Sequence, residues 1–241
     1  MKSKTVIMRL LLISNSTNPG EPYLDYPKHE IKDFLGKQKT SALFFPYAGV
    51  AFSYDEYAEK VKNRFNEIGH DIVSIHQTEN PIEAVKNASA IVVGGGNTFH
   101  LLKMIRDLGL IEPVREKVLA GTPYIGWSAG SNMACPSIKT TNDMPIIEPD
   151  SFEAFHLVNF QINPHYLDKN PDGHAGETRE DRINEFLEVN KQTNVFGLRE
   201  GCIFRIENQQ MKLIGPKPAR LFAYGSQPKE INSDEELSEF I

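Results

Sequence analysis

Short, continuous apolar runs alternate along the first half of the chain with longer stretches in which apolar positions recur every three to four residues. The runs are Arg9 to Ser14, Ser41 to Phe45, Asp71 to Ile75, Ala88 to Val93 and Pro123 to Trp127. Unbroken apolar character marks strands covered on both faces, whereas a strand with one wet face alternates. Between the second and third runs, Tyr54, Tyr57, Val61, Phe65 and Ile68 fall on one helical face. Ser53 and Glu56 have capping-box spacing at its start, and Gly69 supplies a stop. Further helices are predicted from Thr98 to Leu108, ended by Gly109, and from Glu112 to Ala120, with Pro113 in the first turn. Alternating strands and helices predict an α/β fold, a mostly parallel sheet with helices on both faces.

The pattern changes after Trp127. Thr140 to Asp172 is polar, proline-bearing and loop-like, interrupted by the apolar stretch Phe155 to Ile162. Loops of this length in a compact domain usually carry function. A helix resumes near Glu177 to Val189; then Asn194 to Leu198, Cys202 to Glu207, Met211 to Ile214 and Arg220 to Tyr224 predict a strand followed by an antiparallel ribbon. The acidic tail from Pro228 is expected to fray. No repeat or low-complexity linker divides the chain, so one domain spanning 1–241 is expected.

Composition adds mainly exclusions. The 26 basic and 32 acidic residues give a formal charge of -6, and no cluster of Lys and Arg is available to track a phosphate backbone, which argues against nucleic acid as a partner. Val6 to Ile13 is too short for a bilayer span and lacks a small-residue cleavage site before Ser14, so neither a membrane nor a secretory route is expected. Cys135 and Cys202 have no metal-ligand spacing and no disulfide density; reduced core thiols in the cytoplasm are the expectation.

The strongest chemical signal is Gly126-Trp127-Ser128-Ala129-Gly130, a G-x-S-x-G pentapeptide at the end of a predicted strand. A nucleophile on a sharp strand-to-helix turn needs neighbours without a β-carbon, so that the turn can close and substrate can approach. A second glycine run, Gly94-Gly95-Gly96-Asn97, ends the preceding strand at the carboxyl edge where open α/β sheets keep their crevice. Neither Lys-Ser nor Lys-Thr follows it and the G-x-G-x-x-G spacing is absent, which ranks a phosphate loop below an oxyanion hole. A serine hydroxyl needs a base, and His165, just past an apolar run and Pro164, is better placed than His29, His70, His76, His100 or His174. For the acid that orients the imidazole, Asp143, Asp168 and Glu200 remain open. The order serine, histidine, glutamate differs from that of α/β-hydrolases and points to another fold carrying a similar constellation.

Read together, Ser14–Thr17, Pro46–Val50, Val93–Phe99, Ile125–Gly130, Thr140–Ile146, Gln161–His165 and Gly176–Glu180 resemble the peptidase E, or α-aspartyl dipeptidase, family over nearly the whole chain. The resemblance implies a flavodoxin-like fold akin to class I glutamine amidotransferases, with serine in place of the cysteine nucleophile. It puts the triad on Ser128, His165 and Glu200, and the oxyanion donors on the backbones of Gly96 and Ala129. Arg179, Asn97 and Asp143 fall to substrate binding, with Arg179 the cation for an aspartyl side chain. The implied substrates are small aspartyl dipeptides, cleaved without metal or cofactor by a monomer or homodimer. A related, cyanophycinase-like peptidase acting on a polymer is the enzymatic alternative. A flavodoxin-like module holding a small anion is the non-enzymatic one.

Overall fold

The computed structural model describes residues 8–170, 172–173 and 175–241; Val6, Ile7 and His174 lie outside them. Five strands form the parallel part of a large sheet: β1 (Leu10–Ile13), β2 (Ser41–Phe45), β3 (Asp71–Ser74), β4 (Ile91–Val93) and β5 (Tyr124–Trp127). Their order is β3-β2-β4-β5-β1. The four residues of β1 are all buried, and they divide between two cores by the period of a strand. Leu11 and Ile13 pack with Phe34 of α1 (Lys28–Leu35) and with Val61 and Phe65 of α2 (Tyr54–Glu67). Leu10 and Leu12 share a core with Val85 of α3 (Pro81–Asn87), Leu102 of α4 (Thr98–Asp107) and Val114 of α5 (Ile111–Leu119). Helices therefore cover both faces, as the unbroken apolar runs predict.

Local signals are obeyed where they are strong. Ser53 caps α2, accepting from the Glu56 amide while the Glu56 carboxylate accepts from Ser53, and Gly69 takes φ 88° beyond the helix end. Helix α3 does carry a start signal, with Pro81 at its first position and Asn80 accepting from the Glu83 amide, but it buries only Val85, while α1 buries Ile31 and Phe34 and has no side-chain cap. Their apolar stripes are too short to stand out.

The second half departs from expectation. Strands β6 (Gln161–Tyr166) and β7 (Val195–Arg199) pair in parallel and join β10 (Ala219–Phe222) and β11 (Lys229–Ile231) in a separate sheet ordered β11-β10-β7-β6. The hairpin of β8 (Ile203–Glu207) and β9 (Gln210–Ile214) leaves that company and extends the large sheet, with Phe204 opposite Leu12 of β1. The predicted ribbon is thus shared between two sheets. A tight turn at Glu200-Gly201 makes the transfer: Gly201 has φ 86°, the Cys202 amide reaches the Arg199 carbonyl at 3.1 Å, and Ser14 N–H then meets the Cys202 carbonyl at 3.0 Å. Nor does the tail fray, because β11 pairs with β10 and buries Ile231, while Leu237 is 1% exposed within the core shared by Phe196. Both cysteines are free and buried, and burial raises the Cys135 thiol to about 12, which leaves it inert. Among the described residues no helix is long and apolar enough to cross a membrane.

Candidate active site

Ser128 follows β5 directly and precedes α6 (Ala129–Met133). Its backbone has φ 51° and ψ -111°, a conformation costing about 1–3 kcal/mol for a residue with a side chain, so its surroundings must impose it. They do so from both sides. Its N–H stays in the sheet, donating to the Ile13 carbonyl at 2.9 Å, while its carbonyl accepts from Ser131 and Asn132. The Ser131 hydroxyl lies between the Ile13 and Gly126 carbonyls at 2.7 and 2.8 Å. A β-carbon on Gly126 would sit 2.4 Å from the Gly130 carbonyl oxygen, and one on Gly130 would sit 2.2 Å from that of Val93. Both glycines of the pentapeptide are therefore steric requirements of the bend. The following helix has five residues, too few for much of a macrodipole, so the positive character available here comes from individual N–H groups.

His165 comes from the other sheet. The β6–β7 register shifts between Pro164 and Tyr166, and His165 itself has φ 53°: a bulge turns its side chain out of the ladder. Its N–H donates to Ser14 Oγ at 3.0 Å, and that hydroxyl donates to the Leu198 carbonyl at 2.7 Å, tying β6 and β7 to the end of β1. The imidazole then reaches both partners, Nε2 at 2.9 Å from Ser128 Oγ and Nδ1 at 2.7 Å from Glu200 Oε1. Glu200 is held by the turn that changes sheets, where the Gly201 N–H donates to Asn15 Oδ1 at 2.9 Å. Asn15 is in turn gripped by the Tyr26 hydroxyl, which donates to its backbone and side-chain oxygens at 2.8 Å.

The other candidate acids are committed elsewhere. Asp143 Oδ2 accepts from the Thr98 amide at 2.7 Å and from the Thr98 and Thr141 hydroxyls at 2.5 and 3.1 Å, closing the N-terminus of α4. Asp168 is paired with Arg199. Among the remaining histidines, His70 Nδ1 accepts from the Thr40 amide, His76 bridges Ser74 and Asp55, and His100 contacts the Tyr47 carbonyl.

The glycine run lies against the bend. The Tyr57 hydroxyl donates to the Gly95 carbonyl at 2.8 Å and accepts from Trp127 Nε1 at 3.2 Å, linking the run to the residue before Ser128. There is no room for side chains: a β-carbon on Gly95 would be 2.9 Å from Trp127 Cδ1, and one on Gly96, at φ 137°, would be 2.2 Å from the Ala48 carbonyl oxygen. Among the described residues the amides of Gly96 and Ala129 have no protein acceptor. Asn97 is spent structurally, its Oδ1 accepting from the His100 amide as the cap of α4 and its Nδ2 donating to the Met144 carbonyl.

Ser128, His165, Gly95, Gly96 and Asp143 line a cleft of about 640 Å³, with Tyr23, Phe52, Tyr57 and Trp127 as an aromatic wall. That volume is within the range of small-molecule sites. Arg179 is not in this cleft. It begins α7 (Arg179–Val189) and lines an adjoining recess of about 150 Å³ with Asn142, Asn163 and Arg182; Asp143 borders both spaces. Glu180 pairs with Arg220, and Asp181 is held in the Thr178 capping box, so neither neighbour neutralises Arg179. Burial and the repulsion of Arg182 weaken its hold on its proton, opposed by Asp143. Among the described residues no cluster of three or more metal-ligating side chains is present.

Two groups escaped sequence reading as site-builders: Ser14-Asn15, and the Tyr57–Trp127–Gly95 chain. The first had a usable signal, since polar residues directly after β1 lie at the carboxyl edge of a parallel strand, where such sheets place their crevice.

A mostly parallel, flavodoxin-like sheet resembling that of class I glutamine amidotransferases, with a serine on a strained strand-to-helix bend, defines a hydrolase of serine type. The model of Peptidase family S51 matches residues 10–214, and the chain belongs to that family. A peptidase E of Nostoc sp. is 52% identical over 222 residues, covering 92% of each chain. A peptidase E of Salmonella newport is 46% identical over 220 residues, covering 91% of this chain and 96% of its own. Two crystal structures share the fold: one described as a peptidase E protein from Listeria monocytogenes EGD-e, with TM-score 0.65 and 22% identity over 88% of this chain and all of its own, and a peptidase from an acI-B1 Actinobacterium, with TM-score 0.71 and 16% identity over 96% of both. The chain is accordingly a serine-type dipeptidase, not a non-catalytic anion-binding module.

Proposed function

We propose that this enzyme hydrolyses dipeptides with an N-terminal aspartate through a Ser128–His165–Glu200 triad and an acyl-enzyme. The observation that carries it is the unbroken hydrogen-bond chain from Ser128 Oγ through both imidazole nitrogens to Glu200. His165 Nε2 takes the hydroxyl proton as Oγ attacks the peptide carbonyl, and Glu200 fixes the tautomer and stabilises the imidazolium. The tetrahedral oxyanion rests on the free amides of Gly96 and Ala129, each worth roughly two to three orders of magnitude in kcat by the behaviour of oxyanion donors elsewhere. His165 then delivers its proton to the leaving amine, and water, deprotonated by the same imidazole, cleaves the ester and frees aspartate.

Specificity would come from the recess beside the cleft. Among the described residues the Arg179 guanidinium there has no hydrogen-bond or ion-pair partner, and such a group grips a carboxylate by two parallel hydrogen bonds. Asp143, bordering both spaces, has no donor to its Oδ1 among the described residues and so suits the substrate ammonium. Asn97 contributes indirectly, by holding the Met144 carbonyl and the start of α4. A hydrogen-bonded charge contributes roughly 1.5–3 kcal/mol, or about 10- to 150-fold. Arg179→Ala is therefore expected to lower the preference for Asp-Leu over Ala-Leu, measured as kcat/KM, by that factor. Undiminished discrimination would remove Arg179 from the role.

A further inference from the structure

The cleft holds a cation for which the chemistry above has no use. Lys60, on the exposed side of α2, lines it together with Tyr23 and Phe52. Its Nζ stands 4.0 Å above the centre of the Tyr23 ring. Tyr23 meets Trp127 edge to face at 6.3 Å, and Trp127 precedes Ser128. Lysine, tyrosine, indole and nucleophile therefore form a continuous row. Glu56, one helical turn earlier and the ordinary partner for Lys60, lines the same cleft but is engaged elsewhere: its carboxylate accepts from the amide and hydroxyl of Ser53, both at 2.9 Å, and makes no ion pair with Lys60 among the described residues. Among the described residues no carboxylate lies within ion-pair distance of Lys60, whereas Lys62 on the same helix pairs with Asp71 at 3.9 Å.

An unshared ammonium over an aromatic ring, at the margin of an apolar wall, suits a carboxylate attached to an apolar residue. We propose that Lys60 is a specificity-determining residue that binds the free C-terminal carboxylate of the leaving amino acid, whose side chain rests on Tyr23 and Phe52. One extended residue spans only about 3.3–3.6 Å, so the carboxylate of a dipeptide lies one residue beyond the scissile carbonyl, and that of a tripeptide overshoots. Lys60 thereby makes the enzyme count residues from the carboxyl end. This inference rests on the Ser128 cleft being the site of hydrolysis, and not on the aspartate preference.

The test is steady-state kinetics of wild type, Lys60→Met, Lys60→Arg and Lys62→Met on the best-cleaved member of an X-Leu series and on the same dipeptide as its C-terminal amide. Wild type and Lys62→Met should prefer the free acid by about tenfold or more, mainly through KM, as one charge-assisted hydrogen bond would give at a partly solvated site. Lys60→Met should raise KM for the acid, leave the amide unchanged and bring the ratio near one, while Lys60→Arg should restore the preference. Wild-type indifference to amidation, or a parallel loss on both substrates in Lys60→Met, would overturn the proposal. Should the methionine variant misfold, Lys60→Gln gives the same two readings. Failure of the underlying assignment looks different, since Ser128→Ala would then keep its activity.

Discussion

Ser128→Ala is expected to lower kcat on Asp-Leu by roughly four to six orders of magnitude, the range in which removing a triad nucleophile leaves only binding and oxyanion stabilisation. The change should leave the fold intact. Among the described residues the side-chain partner of the Ser128 hydroxyl is His165 alone, and the backbone bonds to Ile13, Ser131 and Asn132 that hold φ at 51° need no hydroxyl. Thermal unfolding within a degree or two of wild type, beside lost turnover and lost labelling by a fluorophosphonate, is the expected combination. An alanine variant that retained even a hundredth of the wild-type rate would show that another nucleophile is at work.

Glu200→Gln should cost about four orders of magnitude near neutral pH, although the side chain keeps its length and shape. A carboxylate accepts a proton-bearing Nδ1, which leaves Nε2 free to take the serine proton; an amide can instead donate to Nδ1 and trap the unproductive tautomer. Asp143→Asn makes the informative comparison. The asparagine oxygen can still accept from Thr98 and Thr141, so its main losses are the charge that strengthens those bonds and the hold on the substrate ammonium. It should therefore appear in KM and Tm more than in kcat. If kcat of the two variants, measured side by side, fell in the reverse order, the acid would be Asp143.

The parts legible in the sequence are those set by local physics. Helix α2 announces itself because Ser53, Glu56 and Gly69 satisfy its ends and five apolar positions fix its face. The bend at Ser128 is legible because two glycines are demanded within five residues by backbone atoms that a β-carbon would strike. Apart from the family resemblance, His165 is visible only as a position after an apolar run. The bulge that aims it depends on how β6 and β7 slide past one another, which no short window contains. The choice among Asp143, Asp168 and Glu200 likewise rests on contacts between residues far apart in the chain, such as Asp143 with Thr98 and Asp168 with Arg199. The division of the predicted ribbon between two sheets turns on one glycine, Gly201, whose positive φ redirects the chain toward β1. The tail resisted prediction because its charged residues conceal two inward positions, Ile231 and Leu237.

Ser128 follows a strand of the large sheet, whereas His165 lies on β6, an outer strand of the small one, and Glu200 in the turn after its neighbour β7, with Ser14 and Asn15 joining them. Under the proposed triad, reactivity is thus a property of a seam. If the two halves part by even a bond length, the alcohol keeps its strained bend and its amide donors but reverts to an ordinary, unreactive serine. Hydrolytic power can then vanish while most of the molecule stays folded, and that seam is where a cell, an inhibitor or a mutation could silence the enzyme with the least disruption elsewhere.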